Sequence, residues 1–286
     1  MKYLVTHFYS DAEVPFLKLN YLEGKNHIDK FIFVEFNYTK IGTPKEYVNI
    51  DAFDIFTDND FEKIMYFKVD LTNQVLDANN DTTEARTVMA IHNEPLFRSY
   101  FKNLVKFNDD DIVISVDADE IIYEQAYDHI FKEMQTNDIL LLKMYMFYYR
   151  LDHLSNELWT SPIVMKYGVG KDIYDIRSDG NKTKYPQWRK CSMTKDSKIT
   201  SIYTGCHFSW CMTIEGMLNK LDCHGCGVTM RYKKLSNKEI LEEMITNKRF
   251  YMKDKANFNL RQISIKSDIY PKQIYKILDL FKNLYD

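Results

Sequence analysis

The hydrophobic pattern switches between two periods along the first half of the chain. Short runs dense in β-branched and aromatic residues, "YLVTHF" (3–8), "KFIFVEF" (30–36), "IMYFKV" (64–69) and "IVISV" (112–116), predict strands. Segments with helical spacing stand between them. "SDAEVPFLKLNYLEG" opens with a Ser10–Glu13 capping box and closes at Gly24. "NEPLFRSYFKNLVKF" opens with an Asn93 cap and carries Pro95 in its first turn. "EQAYDHIFKEMQ" predicts another helix and "ILLLKMYMFYYR" a long strand. From about Leu151 to Cys211 the pattern breaks into shorter β-like pieces. "TIEGMLNKL", "SNKEILEEMI" and "PKQIYKILDLFKNLY" then predict helices to the end. Alternating β and α followed by mixed β predicts an α/β fold: a Rossmann-like mixed sheet with helices on both faces and C-terminal helices. The expected organisation is one domain over 1–286, with a first half (1–150), a second part (151–230) and a helical C-terminal extension (231–286).

The run "IVISV" lacks polar alternation beyond Ser115, which predicts a central parallel strand covered on both faces. The acids of "DADE" follow it at once: Asp117, Asp119 and Glu120. Ligands of open α/β sheets bind beyond the carboxyl ends of the strands, and this is that place. If the backbone stays extended, Asp117 and Asp119 share a face, because strand side chains repeat every two residues. Two converging carboxylates repel unless a cation lies between them. Hard oxygen ligands suit Mg2+ or Mn2+, which commonly bridge one or two carboxylates to a diphosphate.

Other readings of the acids compete. An EF-hand would need a Gly soon after them, where Ile121 and Ile122 stand. A haloacid-dehalogenase-type phosphatase also places Asp-x-Asp after an apolar strand, but Glu120 and the central location fit that signature poorly. Acids favoured by the dipole of a helix start give a purely structural account.

Composition narrows the class. A chain of 286 residues, 45% hydrophobic, supports a substantial core, and 9 glycines with 6 prolines leave no linker or low-complexity tail. The 15% aromatic content suits either a stacking cleft or core packing. A net charge of -3 argues against a nucleic-acid partner. The segment from Arg231 onward is locally basic, which suits a face toward phosphates or peripheral membrane contact; solvated helical lysines explain it as well. No apolar run is long enough to span a bilayer and no signal peptide opens the chain, so a cytoplasmic protein with free thiols among its 5 cysteines is expected. Cys206, Cys211, Cys223 and Cys226, beside His207 and His224, raise a zinc alternative; "CHGC" has a close-pair spacing, whereas Cys206 and Cys211 are too far apart for one. No Gly-rich phosphate loop and no Gly-x-Ser-x-Gly elbow is present.

Four segments occur in order: "EFNYTKIGTPK" (35–45), "DDDIVISVDADEI" (109–121), the Trp159 region and "GCHFSW" (205–210). Together they resemble glycosyltransferase family 17, whose members include the N-acetylglucosaminyltransferase of bisecting N-glycans. The resemblance runs from about Tyr3 to the region of His224. It implies a GT-A fold, a UDP-sugar donor (UDP-N-acetylglucosamine in characterised relatives), a glycan or other hydroxyl acceptor, Mn2+ or Mg2+, and inversion at the anomeric carbon.

Carried over by residue, Asp117 and Asp119 become the metal-binding Asp-x-Asp and His207 joins them at the metal and diphosphate. Glu35, in the loop after the second strand, would lie near the nucleoside, and His224 matches a later donor-side histidine. Arg98 is either a phosphate contact or a surface arginine, and Glu120 either contacts the donor or anchors the loop. Trp159 or Trp188 stacks on a sugar or packs the core. On this reading 1–150 is the nucleotide-sugar half and 151–230 the acceptor and metal half.

Departures are local. The family's Trp before the histidine is Cys206 here, the Pro after "DEI" is Ile122, and His224 has lost its acidic neighbour. Animal members carry a membrane anchor and stem; none is seen here, which points to a bacterial or viral enzyme with a cytosolic acceptor. Inverting transfer needs a base across the sugar from the metal, and Asp175, Asp179, Glu215 and Asp222 stand as candidates. A non-catalytic nucleotide-sugar or glycan-binding protein is the other class of function.

Overall fold

The computed structural model describes residues 1–48, 50, 54–75, 83–169, 197–223, 238–248 and 259–285. Strands β1 (Lys2–Phe8), β2 (Lys30–Phe36), β3 (Ile64–Val69) and β4 (Ile112–Ser115) form the parallel part of the sheet. They are followed by β5 (Glu120–Ile122), β6 (Ile139–Tyr148), β7 (His153–Trp159), β8 (Ile163–Lys166), β9 (Ser197–Ser209) and β10 (Leu260–Gln262). The sheet runs β10-β7-β6-β8-β4-β1-β2-β3, while β9 pairs with β6 and β5. The α/β, mixed-sheet expectation therefore holds. β4 is central, yet it is the seam of the sheet: parallel to β1 on one side and antiparallel to β8 on the other.

Alternation along each strand feeds two apolar layers. Leu4 and Phe8 of β1, Phe31 and Phe33 of β2 and Ile114 of β4 enter one core cluster. Tyr3, Val5, Ile32, Val34 and Val113 point to the opposite cluster. A strand apolar on both faces is stable only when both are covered, and burying each large side chain contributes about 1.5–3 kcal/mol.

Helix α1 (Val14–Gly24) begins as expected, after a short 3-10 turn at Asp11–Glu13. The Glu13 carboxylate accepts from the backbone N–H of Tyr9 at 2.7 Å and of Ser10 at 3.3 Å. The short α2 (Asp58–Phe61) precedes β3, and α4 (Tyr127–Glu133) lies between β5 and β6. Later come α5 (Ile214–Cys223) and α6 (Lys238–Thr246).

Two expectations are corrected. Helix α3 (Thr83–Ser99) starts ten residues before Asn93, so Asn93 is no cap and Pro95 lies inside the helix. The buried Asn93 amide instead donates to the Lys40 carbonyl at 3.0 Å, a tertiary bond that outcompetes a capping role. Pro95 removes one backbone donor, and the helix tightens into a 3-10 turn at Tyr100–Asn103. The C-terminal extension is also not simply helical. β10 adds to the sheet edge beside β7, and "PKQIYKILDLFKNLY" forms 3-10 turns at Lys272–Lys276 and Leu278–Phe281. Those turns are docked by long-range bonds: Gln273 N–H to the Glu23 carboxylate at 2.6 Å and Tyr270 OH to the Leu151 carbonyl at 2.9 Å. No helix among the described residues is long and apolar enough to cross a membrane.

Candidate functional site

The acids after β4 do not stay extended. Ala118 and Asp119 form a turn in which Glu120 N–H donates to the Asp117 carbonyl at 2.9 Å. The Glu120 carboxylate turns back to accept from Asp117 N–H at 2.6 Å. Beneath the turn, the buried Asn20 amide of α1 donates to the Ala118 carbonyl at 2.9 Å. The expectation of two carboxylates side by side on an extended strand is therefore corrected: local bonding bends the chain, and the two acids take different partners.

Asp117 faces α3 and β1. Arg98 donates from Nη1 to its Oδ1 at 2.7 Å and from Nη2 to its Oδ2 at 3.4 Å, and His7 Nε2 lies 3.8 Å from Oδ1. Arg98 also donates through Nε to Glu94, and Lys40 Nζ lies 2.8 Å from the other Glu94 oxygen. Arg98 is thus a largely enclosed member of an ion network, not a surface arginine. Burial works against the Glu94 anion, but Arg98 and Lys40 outweigh it and hold Glu94 well below the usual carboxylate range. Burial, with Arg98 beside it, lowers His7 to about 3, so the ring is neutral at ordinary pH.

Asp119 faces β9 and α5. His207 Nε2 lies 3.4 Å from its Oδ1, and Lys220 donates to Oδ2 at 3.3 Å. Burial opposes its charge, but Lys220 and His207 more than compensate and hold Asp119 at about 2. Lys220 Nζ also lies 4.0 Å from Glu13 and 5.6 Å from the Trp210 ring centroid. Burial raises Glu13 above its ordinary value.

The β5–β9 register explains why His207 arrives here. Glu120 pairs with His207 and Ile122 with Gly205, and Phe208 N–H donates to the Asp119 carbonyl at 2.8 Å. Gly205 is required by that approach: a Cβ there would stand 2.0 Å from the Ile121 carbonyl oxygen. At the end of β9 the chain turns with Trp210 at φ 61°, a strained value for an aromatic residue. Trp159 closes the site from β7, donating its indole N–H to Glu120 at 2.6 Å with its ring 4.5 Å from the His207 ring. Glu120 is fully buried and anchors the turn.

Two expected site residues are placed differently or lie apart. Glu35 is within β2, not in the loop after it, and is fully buried. Its carboxylate binds Lys45 Nζ at 2.8 Å, Val48 N–H at 2.5 Å and Tyr66 OH at 2.5 Å, so it ties the following loop to the sheet. Glu215 is on α5, where it lines a cavity of about 380 Å³ together with Asp11, Met212 and Asn219. Asp175, Asp179, Trp188, His224 and Cys226 lie outside the described residues, as do the side chains of Asp222 and Cys223. Cys206 and Cys211 are buried free thiols whose ionisation burial strongly disfavours. Sequence reasoning gave no site role to His7, Glu13, Lys40, Glu94 and Lys220: Glu13 stands in the α1 capping box and Lys40 in the 35–45 segment, the other three in no motif with site chemistry, and tertiary packing recruits all five.

Among the described residues no group of three or more His, Cys, Asp and Glu is gathered to hold a metal ion. Asp119 and His207 nevertheless fit a divalent cation as a pair. Their facing atoms are 3.4 Å apart, close to the roughly 3 Å that separates neighbouring ligands at metal distances of about 2.1 Å. Among the described residues, the buried His207 Nδ1 has no hydrogen-bond partner. Glu13, Glu94, Asp117, Asp119 and Glu120 also outnumber Lys40, Arg98 and Lys220 in this cluster. Two protein ligands are what such ions commonly take when a substrate diphosphate supplies others.

No protein-family model matches the chain, and no curated protein matches it significantly. Among solved structures it is similar to a galactosyltransferase, LgtC, in complex with donor and acceptor sugar analogues, with 8% identity over 100% of this chain and 97% of that one and a TM-score of 0.41. The glycosyltransferase GlyE of Streptococcus pneumoniae TIGR4 is similar at 8% identity, over 99% of this chain and 60% of that one, with a TM-score of 0.38. A 4-diphosphocytidyl-2C-methyl-D-erythritol synthase is similar at 9% identity, over 71% and 89% of the two chains, with a TM-score of 0.37.

Proposed function

We propose that this chain is a GT-A-type, metal-dependent inverting glycosyltransferase. It moves a sugar, N-acetylglucosamine on the family resemblance, from a UDP-sugar to a hydroxyl of a glycan or other acceptor. The observation that carries the reading is the acidic turn at the carboxyl end of β4, with Asp119 and His207 converging on one point. That edge is where an α/β sheet receives a diphosphate ligand. The four sequence segments that resemble the family include this turn and the His207 strand.

On this reading Asp119 and His207 hold Mn2+ or Mg2+, which when bound stabilises charge on the departing diphosphate. Arg98 fixes Asp117 through two bonds and Glu120 fixes the backbone of the turn, so the carboxylates are oriented before substrate arrives. Trp159 packs on the His207 ring and holds Glu120 through its indole N–H, which fixes both side chains beside the turn. Glu215, a candidate base, lines a cavity that none of Asp117, Asp119, Glu120 or His207 enters, so its geometry gives no support to a role in taking the acceptor proton.

The test is UDP release from UDP-N-acetylglucosamine with Mn2+, with and without candidate glycans. Asp119→Asn, nearly isosteric, is expected to lower turnover at least 100-fold while the protein stays folded. Unchanged turnover in that variant would overturn the reading. A non-catalytic nucleotide-sugar-binding protein would bind UDP-sugar and release no UDP. A phosphatase using Asp117 as nucleophile is disfavoured because Arg98 occupies both of its oxygens.

A further inference from the structure

Lys220 is the one ammonium lying against the Asp119 carboxylate among the described residues, and nothing in the sequence motifs marks it. We infer that Lys220 is a resident competitor for the cation position: its ammonium and a divalent ion are alternative occupants of Asp119. This inference rests on the metal-binding reading above.

Three observations carry it. Lys220 Nζ lies 3.3 Å from Asp119 Oδ2, while His207 faces Oδ1 of the same carboxylate at 3.4 Å. An ion bridging Asp119 and His207 would therefore lie within a few ångströms of the Lys220 ammonium as it stands in this structure, a strong repulsion in an enclosed site. Second, Lys220 has another anchor. Glu13, held by two backbone N–H groups of the β1–α1 turn, stands 4.0 Å from Nζ. Third, a lysine is suited to such an exchange, because its ammonium rides on a flexible four-carbon stem with rotatable donors. When an ion docks on Asp119, Lys220 moves to Glu13, and when the ion leaves, Lys220 returns. Lys220 thus lowers the intrinsic metal affinity, so that the protein holds the ion firmly only when a diphosphate adds its own oxygens.

The experiment is Mn2+ binding to the full chain without nucleotide, followed by electron paramagnetic resonance of free Mn2+. Lys220→Met is expected to bind Mn2+ at least tenfold more tightly than the native chain. Lys220→Arg, which keeps the charge, should not. Asp119→Asn in either background should abolish the tight site. Because removing the ammonium leaves two enclosed carboxylates, Lys220→Gln is tested alongside, with thermal unfolding as a second readout. Mn2+ should raise the midpoint of the neutral variants more than that of the native chain. Equal Mn2+ affinity in the native chain and both neutral variants, with loss in Asp119→Asn, overturns the competition while the metal reading stands. Absence of Asp119-dependent Mn2+ binding in every form overturns both.

Discussion

Arg98 and Asp117 are joined by two hydrogen bonds, 2.7 and 3.4 Å, that tie the long helix α3 to the acidic turn. The same guanidinium binds Glu94, so one cation serves two largely enclosed carboxylates. Removing one member of a buried ion network strands the others, which costs far more than the pair contributes in place.

Arg98→Met is therefore expected to destabilise the protein by about 3–5 kcal/mol, read from urea denaturation. Arg98→Lys should lose less, because the charge persists while the fork geometry is lost. Equal losses in the two variants would show that geometry and charge were wrongly separated.

Glu120→Gln keeps the size of the side chain but presents an amide to one of two donors, Asp117 N–H and Trp159 Nε1–H. A loss of about 1–3 kcal/mol follows from an unsatisfied buried donor. The Trp159 indole resonance in a 15N-correlation spectrum should shift, since its proton now meets either a neutral amide oxygen or an NH2 that cannot accept. An unmoved indole signal contradicts the arrangement.

His7 gives a pH prediction. Burial and Arg98 lower the folded pKa to about 3, whereas the unfolded ring titrates near the ordinary imidazole value of 6.5. Between those values the unfolded state binds a proton that the folded state does not, so stability falls as pH falls through that window. The slope is about 1.4 kcal/mol per pH unit between about pH 6 and pH 4. His7→Asn should flatten the profile by that amount; identical slopes for variant and native chain would refute the neutral buried ring.

Gly205→Ala introduces a methyl group 2.0 Å from the Ile121 carbonyl oxygen. The β5–β9 pairing must then shift, and a destabilisation of about 3 kcal/mol is expected, the upper end of the usual overpacking range. Metal and UDP binding should weaken together, because the acidic turn and His207 are held in register by that pairing. A folded variant with full ligand affinity would separate the register from the site.

Periodicity made the parallel strands and the acids after β4 readable, because those features depend on local pattern and strand polarity. The bend of the turn did not follow from the pattern, since it depends on Glu120 folding back onto Asp117 N–H. Arg98 could be singled out but not assigned, as its burial comes from Glu94 and Asp117 meeting it in space. Glu35 was misplaced by one strand end; Lys45 and Tyr66 show that a buried acid within a strand needs its own partners. The C-terminal 3-10 turns carry apolar residues at near-helical spacing, and docking against Glu23 and Leu151 decides their form. Lys220 had no local signal at all.

The partner that neutralises Asp119 lies 101 residues further along the chain. His207, its other neighbour, belongs to a strand that pairs with β5 only after β6 to β8 have been made. During synthesis from the N-terminus, the parallel strands and the acidic turn thus emerge well before their counter-charges. Such non-local closure is slow relative to hairpin and helix formation. The electrostatic centre therefore waits for α5, and a nascent chain ending before α5 carries Asp119 without the lysine that balances it.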